Sequence, residues 1–412
     1  MIKNILRDSG IVFFGTVVSQ IIPILFTPLI ASFYIPEDFG VFTSITAIAA
    51  ILGNSLNLKY NNAIILPSTE RESIDIVKLS IILSLTFGVL SLLTIIILSL
   101  FQNRFLIYLY ACILGILISI NQSFYLYAAR KGDFKINSIS KLAVSVFYVI
   151  CALILGYYTL QNGLIYSRIF GVLTSILFLS MILKLNIKQL NITEIKNLKK
   201  IAQKYSEHPK LNLIPSLLDI VSLQLPLIIV GVIFGDNIQG QYGLANSLIS
   251  VPFFMITLGI RDSAFKHFND LFLSKKTTDL NKIHRQISVI IFVFIILLAF
   301  LLFHLLPFII DNFFSKDWNL VIIVSTYLIF SSLIKVIPSS LSSILIITGN
   351  VSLLSKWQIF NFLLISLYML FIQLGNTVSL RVFLFGYVAV EGLTYAAYFF
   401  IQRRSLIQLN KA

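Results

Sequence analysis

Six charged side chains interrupt the long apolar stretches of this sequence: Lys59, Lys141, Arg168, Asp219, Lys335 and Glu391. A charge in the hydrocarbon core of a bilayer is unfavourable, so ionisable residues placed there usually serve binding or transport. The alternative is snorkelling, in which a long side chain near a helix end reaches the membrane interface. Snorkelling stays open for Lys141 and Arg168, but Lys335 lies near the middle of its predicted helix and has no short route out.

Uncharged polar residues accompany these charges at helical spacing, which places them on shared helix faces. The stripes are Thr16, Gln20 and Thr27 in the first span, Asn54, Asn57 and Asn61 in the second, Asn121 and Tyr125 in the fourth, and Tyr387, Glu391, Thr394 and Tyr398 in the last. Each residue alone could instead hydrogen-bond between packed helices. Together with the cations, the stripes favour a hydrated cationic cleft, with candidate binding residues Lys59, Arg168, Lys335, Asn54, Gln20, Asn121 and Tyr125.

The elements that must position these residues are membrane-spanning helices. Apolar residues make up 58% of the chain, charged residues 12%, and the mean hydropathy is +0.93. A span needs about 20 predominantly apolar residues, and such windows recur from end to end. We therefore predict an all-α integral membrane protein of about twelve spans. They lie near residues 9–34, 41–66, 74–100, 104–129, 137–158, 163–184, 211–234, 241–264, 285–310, 318–347, 355–375 and 380–402.

The distribution of Lys and Arg predicts the orientation of these spans. If the N-terminus is cytoplasmic, 24 of the 31 basic residues fall in cytoplasmic segments and only Arg104, Lys316 and Arg381 fall outside. Cytoplasmic loops carry such an excess in membrane proteins, so both termini are expected inside. The same rule accounts for the net charge of +14 and argues against a nucleic-acid partner.

The two halves of the chain repeat each other at a constant offset of 203 residues. The matched pairs are Ser19 with Ser222, Pro23 with Pro226, Gly40 with Gly243, and Ser44 with Ser247. Because each half has an even number of spans, both should point the same way, as in transporters with parallel repeats. We predict two parallel six-helix repeats around a central cleft: residues 1–184, a cytoplasmic linker over 185–210, and residues 211–412.

The linker and the chemistry outside the spans give two further expectations. The linker should hold a short amphipathic helix on the membrane surface, with its lysines facing anionic lipid headgroups. The sequence has no glycine-rich phosphate loop, zinc-ligand spacing or nucleophile elbow. We therefore predict neither an enzyme nor a resident metal or cofactor. Cys112 and Cys151 lie in apolar segments and are expected to pack as small hydrophobic residues.

Short motifs in both halves resemble those of a known family. They are Ile35–Gly40, Lys59–Pro67, and Leu225-Pro226 followed by Gly240–Ala245 and Pro252. With the span count and the central linker, they resemble the polysaccharide transporter family. This family comprises the Wzx-type flippases of O-antigen and capsule repeat units, and it is part of the multidrug/oligosaccharidyl-lipid/polysaccharide exporter superfamily. The resemblance covers nearly the whole chain.

The resemblance implies a substrate, a location and partners. The substrate would be an undecaprenyl-pyrophosphate-linked oligosaccharide, moved from the cytoplasmic to the periplasmic leaflet of the bacterial inner membrane by alternating access. The implied partners are this glycan, membrane lipids, and polysaccharide polymerase and chain-length proteins. Relatives couple transport to Na⁺ or H⁺ through acidic and polar groups of the C-terminal half. The matching candidates here are Asp219, Glu391, Asn361 and Thr394.

Two alternatives to a flippase stay open at this point. A multidrug/cation antiporter of the same superfamily shares the twelve spans, although its members usually lack a loop like Pro36–Gly40. An O-antigen polymerase-type membrane enzyme would need a large periplasmic loop to hold its chemistry. The predicted outside loops are all short, which disfavours the enzyme.

Overall fold

A computed structural model describes residues 2–99, 104–160, 162–184, 195–274, 277–375 and 378–409 of the chain. The fold divides into two compact units, Met1–Gly231 (unit 1) and Val232–Ala412 (unit 2). Each unit is built from long apolar helices, and no strand occurs in the described ranges. The division into six-helix repeats separated by a linker over 185–210 stays a prediction.

The helices of unit 1 follow one another along the chain, and the last one continues into unit 2. They are α1 (Ile2–Ala31), α2 (Pro36–Ser55), a 3-10 helix (Tyr60–Ile65), α3 (Glu70–Ser99), α4 (Phe105–Arg130), α5 (Phe134–Tyr157), α6 (Gly163–Ile182), α7 (Ile195–Lys204) and α8 (Glu207–Leu273). The remaining elements are α9 (Thr277–Phe313), a 3-10 helix (Lys316–Trp318), α10 (Leu320–Ser340), α11 (Ser343–Ile347), α12 (Val351–Leu374) and α13 (Leu380–Leu409).

Helix α8 contains two spans because its backbone breaks at Gly235. The residue has φ 84° and ψ 172°, a conformation essentially restricted to glycine. A continuous helix of 67 residues would be about 100 Å long, whereas the hydrocarbon core is about 30 Å thick. The described part of the chain has 11 helices long and apolar enough to span a membrane. With α8 counted twice, the prediction of an all-α protein with about twelve spans is confirmed.

The second span ends earlier than the sequence predicts. Helix α2 stops at Ser55, and Leu58 and Lys59 adopt positive φ values of 49° and 63°. The Asn57 Oδ1 atom accepts the Lys59 backbone N–H at 2.9 Å, and such local bonds compete with the helix. The predicted line of three asparagines along this span is therefore wrong, and so is the placement of Lys59 on a regular helix.

Close helix contacts in unit 1 depend on glycine. A Cβ atom on Gly171 of α6 would lie 2.7 Å from the backbone oxygen of Val144 in α5. A Cβ atom on Gly53 of α2 would lie 2.5 Å from the Ile118 side chain in α4. Small residues let membrane helices approach closely, which replaces the hydrophobic driving force that lipid removes. These contacts bring α6 close to α5 and α2 close to α4.

The described end of the linker, α7, is the amphipathic helix expected from the sequence. Its apolar residues Leu198 and Ile201 are buried in the core of unit 1. The Tyr60 hydroxyl donates to the backbone oxygen of Ala202 at 3.0 Å. Protein therefore covers the apolar side of this helix, and the prediction that its lysines face lipid headgroups stays a prediction. Residues 185–194 of the predicted linker lie outside the described ranges.

Candidate functional site

The interior of unit 1 contains a cation held by α1, α4 and α5. The Lys141 Nζ atom donates to the Thr16 hydroxyl at 2.9 Å. The same ammonium group lies 5.9 Å from the centre of the Tyr125 ring, within the range of a cation–π contact. Lys141 therefore does not snorkel to the membrane interface, because its side chain reaches across to another helix.

Hydroxyl and amide groups continue this polar interior between α4, α5 and α6. The Ser175 hydroxyl donates to the Asn121 Oδ1 atom at 2.8 Å and lies 2.6 Å from the Ser140 hydroxyl. The Tyr125 hydroxyl is 3.3 Å from the same Ser175 oxygen. Asn121 and Tyr125, predicted on one face of α4, therefore meet in one hydrogen-bond network.

A second cation, Arg168 of α6, joins this interior. Its guanidinium group is in electrostatic range of the Tyr148 and Tyr125 phenol groups. In the described part of the chain, no carboxylate pairs with either Arg168 or Lys141. We call Lys141, Arg168, Tyr125, Asn121 and Thr16 the basic cluster. Among the described residues, this cluster presents two positive charges without a carboxylate partner.

Lys59 belongs to a separate polar group at the beginning of α8. The side chain is 7% exposed, and its Nζ atom donates to the Asn54 Oδ1 atom at 2.6 Å. The Asn54 amide in turn donates to the Ser216 hydroxyl at 2.9 Å. Asp219, one turn further along α8, is in electrostatic range of Lys59. The break at the end of α2 brings these predicted residues together, since it turns Lys59 toward α8.

Unit 2 holds its partly buried cation in a different way. The Lys335 Nζ atom of α10 forms a salt bridge with the Glu391 Oε1 atom of α13, and Glu391 is 2% exposed. The Ser331 and Tyr387 hydroxyls also donate to the Glu391 carboxylate. The Lys335 ammonium lies 5.7 Å from the Tyr387 ring centre and 6.0 Å from that of Tyr395. We call Lys335, Glu391, Ser331 and Tyr387 the ion-pair cluster.

Two other predicted coupling residues lie in the same unit as this cluster. The Thr394 hydroxyl donates to the backbone oxygen of Glu391 at 3.1 Å. The Trp357 indole donates to the backbone oxygen of Thr394 at 2.9 Å. Asn361 is 5% exposed, and its Oδ1 atom has no hydrogen-bond partner in the described part of unit 2. Asp219 is not among these residues, because it belongs to unit 1.

A family comparison decides the identity of the chain. The profile of a family described as polysaccharide biosynthesis protein matches residues 29–323. The chain belongs to the polysaccharide biosynthesis protein family. This match confirms the family resemblance seen in the sequence. A search among curated proteins found no match.

Solved structures show which fold this polysaccharide biosynthesis protein has. It is similar to an inward-facing multidrug resistance MATE transporter of the MOP superfamily, with a TM-score of 0.66 and 17% identity over 98% of this chain and 95% of that one. A MOP superfamily transporter from Pyrococcus furiosus Vc1 (DSM3638) gives a TM-score of 0.62 and 16% identity over 98% of this chain and 97% of that one. The latter was described as having a binding pocket of reverse polarity that suggests a different function. The polysaccharide biosynthesis protein therefore shares the fold of these membrane transporters.

The structure adds residues that the sequence did not single out for the site. They are Lys141, for which the sequence left snorkelling open, and Ser175, Ser331 and Trp357. The spacing of Ser331 and Lys335, four residues apart on α10, was an available signal because it places both on one helix face. Gln20 lies on the predicted stripe of α1, and its Oε1 atom is buried without a hydrogen-bond partner in the described part of the chain.

Salt bridges at the ends of the helices connect elements of unit 1. The Lys204 ammonium of α7 pairs with Glu72 of α3, and this hydrogen bond raises the pKa of Lys204. Burial opposes the charge on Lys131, but hydrogen bonds with Glu70 and Tyr127 outweigh it and raise the pKa of Lys131. These exposed pairs position the linker helix and the turn after α4, and they are distinct from the basic cluster.

Proposed function

We propose that this protein is a flippase for undecaprenyl-pyrophosphate-linked oligosaccharide repeat units. The observation that carries the proposal is the basic cluster of unit 1, in which Lys141 and Arg168 lack a carboxylate partner within the described residues. A cation without a counter-ion in a low-dielectric interior has a strong preference for an anionic ligand. Membership of the polysaccharide biosynthesis protein family favours a glycan-linked anion as that ligand.

The chemistry of the basic cluster fits each part of such a substrate. Guanidinium groups bind phosphate oxygens through paired hydrogen bonds, and a lysine ammonium adds a point charge. Asn121 and Tyr125 supply amide and aromatic surface for sugar hydroxyls and rings. The polyprenyl tail can stay in the bilayer, so that only the head group needs the polar interior. Lys59, Asn54 and Gln20 are additional proposed contacts for the head group.

For coupling, we assign the exchange of H⁺ or Na⁺ to the ion-pair cluster. The Glu391 carboxylate already accepts bonds from Ser331 and Tyr387 and pairs with Lys335. When Glu391 takes up a cation, Lys335 loses its carboxylate partner, so uptake of the ion would change the charge that the ion-pair cluster presents. Asn361, Thr394 and Asp219 are the remaining proposed coupling residues.

The proposed cellular arrangement follows the charge distribution of the sequence. Both termini lie in the cytoplasm, the chain is inserted in the bacterial inner membrane, and transport runs toward the periplasmic leaflet. There the released repeat unit would meet the polymerase and chain-length proteins.

A multidrug/cation antiporter is the second candidate, because the fold is shared with multidrug transporters and Glu391 is a buried carboxylate. An organic cation would need that carboxylate unpaired, whereas Lys335 occupies it. The basic cluster would also repel such a substrate. These charges favour the flippase over the antiporter.

The test is a flipping assay with the purified protein in proteoliposomes. The inner-leaflet fraction of a fluorescent undecaprenyl-pyrophosphate oligosaccharide should become accessible to a membrane-impermeant glycosidase only when the protein is present. Arg168→Met should abolish this activity, whereas Lys316→Met, a predicted outside cation of the other unit, should leave it intact. Transport of ethidium with no movement of the lipid would establish the antiporter instead.

A further inference from the structure

A small cleft in unit 2 shares no residue with the basic cluster or the ion-pair cluster. It has a volume of about 300 Å³ and is bounded by residues of α9, α10 and α13. The lining residues are Arg285, Ser288, Val289, Phe292, Ile337, Phe399 and Arg403. None of them belongs to the proposed substrate or coupling residues, so the cleft is a separate feature of unit 2.

The lining divides into a cationic end and an apolar end. Arg285, Ser288 and Phe292 are three and seven residues apart on α9, which places them on one face. With a rise of about 1.5 Å per residue, Phe292 lies roughly 10 Å deeper along the helix than Arg285. Phe399 and Arg403 repeat this order on α13 with a spacing of one turn.

The apolar end is accessible to lipid chains. Val289 is 57% exposed and Phe292 is 53% exposed, and both lie on a helix long and apolar enough to span the membrane. On such a helix, an exposed side chain is surrounded by acyl chains. The cleft is therefore reached from the bilayer.

The cationic end of the cleft can receive an anion, and one of its two arginines is already held in place. Within the described residues, neither Arg285 nor Arg403 pairs with a carboxylate. The Arg403 Nη1 atom donates to the Asn281 Oδ1 atom at 3.2 Å, which ties the guanidinium of α13 to α9. A ligand that bridges both arginines would therefore hold these two helices together.

We infer that this cleft binds an anionic phospholipid, with its phosphate between Arg285 and Arg403 and an acyl chain along Val289, Phe292 and Phe399. Arginine forks match the geometry of phosphate oxygens, and basic pockets between membrane helices on the cytoplasmic side bind anionic headgroups. The volume of about 300 Å³ fits a phosphate with part of one chain. It leaves no room for an oligosaccharide, so we assign the cleft to a membrane phospholipid rather than to the transported lipid.

The experiment measures lipid binding to the full chain in detergent micelles, where no charged leaflet surrounds the protein. Native mass spectrometry gives the affinity for phosphatidylglycerol, phosphatidylethanolamine and glycerophosphoglycerol, which has no acyl chain. We expect phosphatidylglycerol to bind most tightly. Arg285→Gln should weaken it about tenfold, as expected for loss of a charge-assisted hydrogen-bond pair. Arg285→Lys should restore part of that loss, since it keeps the charge without the fork.

Arg404→Gln is the matched control, because Arg404 is exposed, adjacent to Arg403 and absent from the lining. It removes the same charge and should leave the affinity unchanged. An equal loss in Arg404→Gln would overturn the site in favour of general electrostatic attraction. Equal binding of glycerophosphoglycerol would reduce it to an anion site without lipid. Stronger binding of undecaprenyl pyrophosphate, with displacement of phosphatidylglycerol, would assign the cleft to the transported lipid.

Discussion

Unit 1 holds Lys141 and Arg168 beside hydroxyl, phenol and amide groups, whereas unit 2 holds Lys335 against the carboxylate of Glu391. Both arrangements bury positive charge in an apolar helix bundle, but only the second neutralises it within the described residues. A buried charge without a partner lowers the stability of the fold. A buried ion pair causes a large loss of stability only when one of its two members is removed. The two units should therefore respond in opposite ways to the same kind of substitution.

Removal of one member of the ion pair should have the largest effect on stability. Lys335→Met leaves Glu391 as a buried anion, and we expect a loss of about 3 kcal/mol in the free energy of unfolding. The double variant Lys335→Met/Glu391→Gln should recover most of that loss, because no charge remains unpaired. Thermal and denaturant unfolding in detergent measure both values. A double variant no more stable than the single one would contradict the role of the pair.

Removal of a cation from the basic cluster should affect binding and spare stability. Arg168→Met relieves an uncompensated charge, so the protein should unfold at the same temperature or a higher one. Its affinity for undecaprenyl pyrophosphate should fall by about 2 kcal/mol, the usual contribution of a hydrogen bond to a charged group. Titration of the purified variant with the lipid gives the affinity. A destabilised Arg168→Met protein with normal affinity would show that Arg168 is structural.

Two glycines beside these charges test how tightly each unit is packed. A methyl group on Gly171, three residues after Arg168, meets a backbone oxygen at 2.7 Å and should cost about 2 kcal/mol. A methyl group on Gly392, next to Glu391, meets the Ile334 side chain at 3.4 Å, an ordinary contact. We expect Gly171→Ala to lower the unfolding temperature and Gly392→Ala to leave it unchanged. Equal effects would remove this difference between the units.

Loss of a neutral hydrogen-bond partner should have a smaller effect. Thr16→Val deletes the hydroxyl that accepts a bond from Lys141, and we expect a loss of about 1 kcal/mol in stability. The matched variant Thr27→Val removes only a bond within α1, from Thr27 to the backbone oxygen of Pro23. Comparison of their unfolding temperatures isolates the contact between helices. A larger loss in Thr27→Val would contradict the importance of that contact.

The exposed salt bridge of the linker helix should have the smallest effect. The pKa of Lys204 is raised by Glu72, so the bridge is present below the ordinary lysine pKa. It is lost as the pH rises through the raised value. Lys204→Gln should slightly accelerate hydrogen exchange in α7, whereas Lys199→Gln on the exposed side of this helix should not. Full protection of α7 in Lys204→Gln would show that Leu198, Ile201 and the Tyr60 hydrogen bond hold the helix without the bridge.

The sequence by itself determined the membrane class, the number of spans and the family. These follow from the length of each apolar run, since a span must satisfy its backbone within one helix wherever it packs. The charged residues inside the spans could be recognised in the sequence because each one interrupts an apolar run. The offset of 203 residues between the halves and the resemblance to polysaccharide transporters also needed no coordinates.

Only the tertiary structure decided how the charges are partnered. Lys335 and Glu391, predicted for different roles, form one ion pair, whereas Lys141 reaches Thr16 on another helix. Periodicity gives the face of a helix on which a residue lies, but the partner depends on which face of which neighbour it meets. The early end of α2 likewise depended on a local bond from Lys59 to Asn57 that competes with the helix. Pairing and compensation of charge are therefore properties of packing between helices, which an apolar sequence pattern does not encode.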